Sequence, residues 1–155
     1  MNYLLRSTIA LALAANFIGC IDPKDRRPGF RLRGEIVEEL PVDWSFSNAY
    51  KEIAIEVRTP YLIPHSVTIS CAALDEQLYV GARNPDEKNW PDWVERDPNV
   101  RLLIGGQIYE SKLALVEDPV EIAAALGAYA EKYEYPVRSA DEAPLIRYWR
   151  VERRR

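Results

Sequence analysis

One histidine, one methionine and two cysteines are all that 155 residues contain of those types. A structural zinc site needs four such ligands at close spacing, and this inventory does not support one. Basic charge is not in excess either. Twenty Lys and Arg stand against 24 Asp and Glu, a formal net charge of -4 that excludes the broad cationic face of a nucleic-acid-binding protein. Internal repeats and low-complexity tracts are absent. What is present, 48% apolar and 28% charged residues, is the composition of one ordinary globular domain. The last residues, "ERRR", are locally basic and are expected to be a solvated tail.

The N-terminus differs from the rest. "MNYLLRSTIALALAANFIGC" carries a single charge, Arg6, then a mainly apolar run from Ile9 to Ile18 that ends in Gly19 and Cys20. That run is too short to span a bilayer comfortably, but a charged start, an apolar middle and a small residue at the break form the secretory signal pattern. "FIGC" resembles the lipobox of bacterial lipoproteins, in which the cysteine, here Cys20, is lipidated and becomes the mature N-terminus. Phe17 stands where lipoboxes more often carry leucine. The resemblance implies a signal peptide over residues 1–19, a membrane anchor at Cys20 and a place in the bacterial cell envelope, facing the periplasm or exterior. The other reading is a cytosolic chain with an apolar N-terminal helix. If Cys20 carries lipid, Cys71 has no partner; if it does not, a Cys20–Cys71 bridge is open in an oxidising compartment. Residues 20–30, with Pro23, Pro28 and Gly29, have the composition of a tether, and the folded domain is expected over 31–155.

From there the dominant period is two, the mark of strands. Ile53, Ile55 and Val57 alternate with Glu52 and Glu56. Val67, Ile69 and Cys71 alternate with Ser66, Thr68 and Ser70; Leu78, Val80 and Ala82 share a face, as do Val100, Leu102 and Ile104. "RLRGEIVEE", "IYESKLALV" and "PLIRYWRVE" extend the count, and "ALDEQ" and Gly105-Gly106 suit short hairpin turns. Two segments have helical spacing instead. In "NWPDWVERDP", Pro91 opens about two turns and Pro98 ends them. In "DPVEIAAALGAYAEKYEYP", Asp118 is the N-cap, Pro119 the first helical residue and Glu121 the partner in a capping box, with Ile122, Leu126, Tyr129 and Tyr133 on one stripe. Mostly hairpin-linked strands without a helix between each pair make a mainly β fold: a β-barrel of about seven strands, mostly antiparallel, with two helices.

Over residues 53–133 the order of elements resembles the flavin-binding split β-barrel proteins of the pyridoxamine 5'-phosphate oxidase-like family, including its deazaflavin-dependent nitroreductase branch. The residues that carry the resemblance are a strand ending "EVRTP", the strand "LYVGA", a lysine-bearing helix running into "RDPNVRL", and a capped helix ending "KYEYP". It implies FMN, or a deazaflavin, bound between the subunits of a homodimer. By the same resemblance, Arg83 and Lys88, with Asn84 between them, would hold the flavin phosphate. Arg58 and Thr59, at the end of their strand, would meet the phosphate or the ring. A forked guanidinium, an ammonium and helix N-terminal amides are suited to a phosphate dianion; the alternative is that these are solvated charges beside a loop.

Where the family carries its usual loop, this chain has "PYLIPHSV". His65 could hydrogen-bond a flavin edge or serve as an acid near neutral pH, against the more ordinary reading of a surface or satisfied loop histidine. Ser66 beside it does not make a hydrolase: adjacent residues rarely reach one another, and no nucleophile-elbow glycines are present. Trp90 shares a side with Trp93 and Val94 and either stacks on a ligand or seals the barrel; Trp44 would cover the barrel mouth, and Cys71 reads as a core thiol. The resemblance therefore implies a lipid-anchored flavin-dependent oxidoreductase acting on a small molecule. The alternative is a non-catalytic binding or scaffold protein with haem, for which His65 is the one available imidazole, or with no cofactor.

Overall fold

The computed structural model describes residues 22–24, 26–136 and 145–154. The signal-peptide range and Cys20 lie outside the described residues. Eight strands form a single sheet: β1 (Glu35–Ile36), β2 (Ile53–Arg58), β3 (Pro64–Ile69), β4 (Cys71–Leu74), β5 (Gln77–Arg83), β6 (Asn99–Ile104), β7 (Gln107–Leu115) and β8 (Ile146–Arg153). Helix α1 (Asn89–Arg96) follows β5, and α2 (Pro119–Tyr133) follows β7. Strand order is β3-β2-β6-β7-β8-β5-β4, antiparallel throughout, with β1 added in parallel to β7.

The two ends of that order, β3 and β4, are separated in sequence by Ser70 alone. They are two halves of one long strand, whose first half pairs with β2 and whose second half pairs with β5. Sharing that strand closes the sheet into a barrel and removes the edge that an open sheet would expose. The sequence reads "HSVTISCA" as one continuous strand; the switch of partners at Ser70 divides it. The backbone groups released there are taken up by α2. Tyr129 donates its hydroxyl proton to the Ser70 carbonyl at 2.9 Å, the Cys71 amide donates to the Tyr133 hydroxyl at 3.0 Å, and Lys132 Nζ donates to the Cys71 carbonyl at 2.7 Å. A buried backbone group without such a partner would be costly, so these side chains explain why the switch is tolerated.

The alternating residues point where their period predicts. Ile53, Ile55, Val57, Leu78, Val80, Val100, Leu102 and Ile104 fill the barrel, with Trp149 as the largest fully buried side chain. Trp90 and Val94 of α1 plug one end, Trp90 lying 5.0 Å from Trp149. A second apolar cluster lies outside the barrel, where Ala125, Ala128 and Tyr129 of α2 cover Ala72, Tyr79 and Tyr148. Leu126 is not on that face and is 45% exposed, because the small residues Ala125 and Ala128 let the helix approach the sheet closely on their side. Both short turns are of the expected kind: Asp75-Glu76 and Gly105-Gly106 all have positive φ, as two-residue hairpins that follow the sheet twist require. The N-cap at Asp118 accepts from Val120 N at 3.2 Å, while Glu121 turns away from the capping box to Arg150 at 2.7 Å.

Three boundaries differ from the sequence reading. "RLRGEIVEE" contributes only two strand residues, as part of a strap laid across the barrel. Gly29, placed by composition in the tether, exchanges two backbone hydrogen bonds with Ser66 at 2.8 and 2.9 Å, so the folded part reaches back past residue 31. Residues 152–154 are not a solvated tail: β8 runs on to Arg153, which brings Arg154 over β6 and β7, where it donates to Val100 O at 2.6 Å and Ser111 O at 3.1 Å and pairs with Glu110 at 3.2 Å.

Candidate functional site

The side chains expected to hold a cofactor fall into two groups on either side of α1. Arg58, Thr59 and His65 sit where β2 turns into β3. Arg83, Asn84 and Lys88 sit where β5 turns into α1. Asp97, just past the C-terminal end of α1, pairs with Arg58 at 3.1 Å, whereas Lys88 precedes its N-terminal end. An eight-residue helix is about 12 Å long, so one phosphate does not reach both groups as they are placed.

In the second group, Asn84 adopts a left-handed conformation (φ 49°) that starts the turn, and Lys88 Nζ folds back to donate to the Arg83 carbonyl at 2.7 Å. In the first group, the Thr59 hydroxyl is buried and donates to Ile63 O at 2.7 Å, which closes the loop and leaves that proton committed. His65 stands edge-on to Trp93 at 4.9 Å, and burial lowers its pKa, favouring the neutral imidazole. Trp90, buried to 4% against Trp149, belongs to the barrel plug and has no free face for a ligand.

Arg58 opens onto a cleft of about 480 Å3 on the outer face of β2, β6 and β7, within the size range of small-molecule sites (roughly 300–1,000 Å3). Four arginines line it, Arg31, Arg58, Arg101 and Arg154, against two carboxylates, Glu56 and Glu110. Glu56, Arg101 and Glu110 are direct neighbours across the three strands. Arg101 Nη1 lies 2.7 Å from Glu56 and 3.2 Å from the Leu32 carbonyl, and Glu56 in turn accepts the Leu32 amide at 2.7 Å. Nε of Arg101 is 3.5 Å from Glu110 yet makes no hydrogen bond. Counting Asp97 with the carboxylates, four cations face three anions, and Arg31 is the cation with no ion pair among the described residues. The cleft is thus biased toward an anionic guest.

No protein-family model and no curated protein matches the chain. Solved structures do. A candidate 5-nitroimidazole antibiotic resistance protein of Bacteroides thetaiotaomicron superimposes with a TM-score of 0.58 at 15% identity, over 85% of this chain and 90% of its own. HutZ, the heme storage protein of Vibrio cholerae, gives 0.57 at 11% identity, over 71% and 86%. A candidate pyridoxamine 5'-phosphate oxidase of Listeria innocua gives 0.52 at 14% identity, over 66% and 83%. The fold is the pyridoxamine 5'-phosphate oxidase-like split barrel.

On this split barrel the residues of the cleft suit a phosphate-bearing cofactor. Arg31, without an ion pair among the described residues, and Arg58, exposed and paired with Asp97, are guanidinium donors of the kind a phosphate takes, and the buried Arg101 lies beneath them. The sequence pointed to Arg58 but not to Arg31, Arg101 or Arg154. Among the described residues no cluster of His, Cys, Asp and Glu is arranged to hold a metal ion. Cys71 is a fully buried thiol whose pKa is raised by burial, against the opposing effect of Lys132 Nζ 3.5 Å away; it serves the core.

Proposed function

We propose that this split barrel binds FMN or a deazaflavin with its phosphate in the arginine-lined cleft, and acts as an oxidoreductase on a small molecule from a lipid-anchored position in the cell envelope. The observation that carries the reading is that Arg31, without an ion pair among the described residues, and Arg58 line one cleft of cofactor size together with the buried Arg101. Arg58 and Arg31 would fork around the phosphate, and Arg101, fixed by Glu56, would add a stationary positive field beneath it. When bound, the flavin supplies the hydride or electron-pair chemistry, and the chain's part is position and field. The resemblance to flavin-binding split barrels implies a flavin held between two subunits, so a homodimer belongs to the same reading. Arg83, Asn84 and Lys88 offer a second anion contact at the far side of α1.

The deciding experiment is an absorbance spectrum of the purified chain as isolated and after incubation with FMN, a deazaflavin and haem. A retained or saturable flavin band supports the oxidoreductase reading, and no uptake of either flavin overturns it.

One observation favours a second reading, a haem-binding protein without catalysis. The similarity to HutZ coincides with an imidazole at His65 whose burial keeps its lone pair free of a proton. A haem spectrum lost in His65→Ala would establish it.

A further inference from the structure

The strap on the outer face of the barrel is held at few points. Of residues 29–37, Gly29 and Leu32 are buried and the rest are half-buried or exposed. Gly29 pairs with Ser66, and the Glu35 and Val37 amides donate to Gly106 O at 3.2 Å and Ile108 O at 3.0 Å. Between these contacts Leu32 is clamped by side chains. Glu56 Oε2 accepts the Leu32 amide at 2.7 Å, Arg101 Nη1 donates to the Leu32 carbonyl at 3.2 Å, and the two are joined to each other at 2.7 Å. The pair gives Leu32 the donor and the acceptor that a neighbouring strand would otherwise supply. Gly34 then passes so close to the turn between β6 and β7 that a β-carbon there would lie 2.5 Å from the Gly106 carbonyl oxygen.

Arg31 immediately precedes the clamped residue, and its side chain lines the arginine cleft with no ion pair among the described residues. Arg58, in the same cleft, belongs to β2 and so to the barrel itself. The cleft is therefore assembled from two parts of unequal stability: a closed sheet, and a segment fixed by a few hydrogen bonds and one buried apolar side chain. An anion that touches both arginines ties one part to the other. Without it, the strap brings a further cation to a cleft already lined by Arg58, Arg101 and Arg154, which works against docking.

We propose that docking of the strap and binding of an anion in the cleft are linked equilibria. The anion is gripped through Arg31 only while Leu32 is clamped, and the strap opens less often while the anion is bound. Leu32 and Gly34, neither of which lines the cleft, are then positioning residues that set affinity through Arg31. Linkage makes the effect reciprocal: the factor by which docking tightens binding equals the factor by which bound anion suppresses opening of the strap. The inference rests on the reading of this cleft as the cofactor's phosphate site.

Hydrogen exchange of the full chain, alone and with saturating FMN or inorganic phosphate, tests the linkage. The amides of Leu32, Glu35 and Val37 are expected to exchange about fivefold or more slower with the anion bound. In Arg31→Gln the anion still binds at Arg58, but the slowing at these amides should vanish even at saturation, whereas a general stabilisation of the barrel would persist. Gly34→Ala adds one methyl group to the exposed side of the strap, away from the cleft, and is expected to speed strap exchange and weaken anion binding by a comparable factor. In the Arg31→Gln background it should leave affinity unchanged, and Leu32→Ala should behave in the same way. Binding of either anion with unchanged strap exchange, slowing that survives Arg31→Gln, or a loosened strap with undiminished affinity overturns the linkage and leaves the phosphate site standing. Uptake of phosphate but not of FMN, with the strap slowed, keeps the linkage and removes the flavin. If neither anion binds, both readings fall.

Discussion

Arg101 and Glu56 share a hydrogen bond of 2.7 Å on the outer face of the barrel, with their side chains only 11% and 8% exposed. The same Glu56 oxygen also accepts the Leu32 amide, so the pair fixes the N-terminal strap to β2 and β6. Glu56→Ala leaves a buried guanidinium with only the Leu32 carbonyl and the longer Glu110 contact, and is expected to cost about 3 kcal/mol in urea denaturation. Glu56→Ala combined with Arg101→Met removes the stranded charge and should recover most of that loss. A cost under about 1 kcal/mol for the single variant, the value of an exposed pair, would contradict the structural role.

The separation of the two arginine groups by α1 makes the phosphate position decidable. Arg31→Gln with Arg58→Gln is expected to weaken FMN binding on the order of tenfold or more, while leaving the thermal midpoint nearly unchanged, because both side chains are exposed. Arg83→Ala with Lys88→Ala should have a small effect. Titrations of both double variants by flavin fluorescence check this, and the reverse ranking would move the phosphate to the turn before α1.

Alkaline pH should undo the docking of α2. Burial, the leading cause in each case, raises Tyr79, Tyr133 and Tyr148 to about 12 and Tyr129 well above its ordinary value. The folded state therefore holds these protons more tightly than the unfolded chain. The resulting stability is fully present below about pH 10, the unfolded value, and is lost as pH rises toward 12. Tyrosinate absorbance should lag behind that of free tyrosine and then rise together with loss of helix signal. Titration of all nine tyrosines near pH 10 in a chain that stays folded would contradict it.

Truncation locates the start of the folded part. Removal of residues 1–28 is expected to preserve a cooperative transition, since the Gly29–Ser66 pair and Leu32 remain. Removal of residues 1–33 exposes the ground that Leu32 covers, at 1% exposure one of the most buried side chains, and leaves Glu56 without one of its donors. That deletion should cost several kcal/mol by denaturant midpoint. Equal stability of the two truncated chains would show that the strap is dispensable.

The barrel was legible because its signals are local. Alternation at Ile53-Ile55-Val57 and Leu78-Val80-Ala82, the cap at Asp118 and the Gly105-Gly106 turn are each set within a few residues. The cleft was not, because its parts come from four distant places: Arg31 in the strap, Arg58 at the end of β2, Arg101 in β6 and Arg154 after β8. In sequence, Glu56, Arg101 and Glu110 look like the solvent face of three strands. Only the pairing order β2-β6-β7 places them side by side. Ser70 was hidden for a similar reason, since nothing in an unbroken alternation announces that a strand changes partners. Arg154 was misread because a run of arginines at a chain end looks alike whether it is hydrated or docked.

The strap running from Gly29 on β3, past Leu32 on β2 and β6, to Glu35 and Val37 on β7 crosses the strands instead of extending one of them. A pull on the N-terminus would meet these attachments one after another, the Gly29 pair first and the Leu32 anchor next. Each can yield without unzipping a barrel strand. The strap is in this sense a mechanical fuse: tension arriving along the leader is spent in peeling a few hydrogen bonds, and the closed barrel behind it keeps its shape.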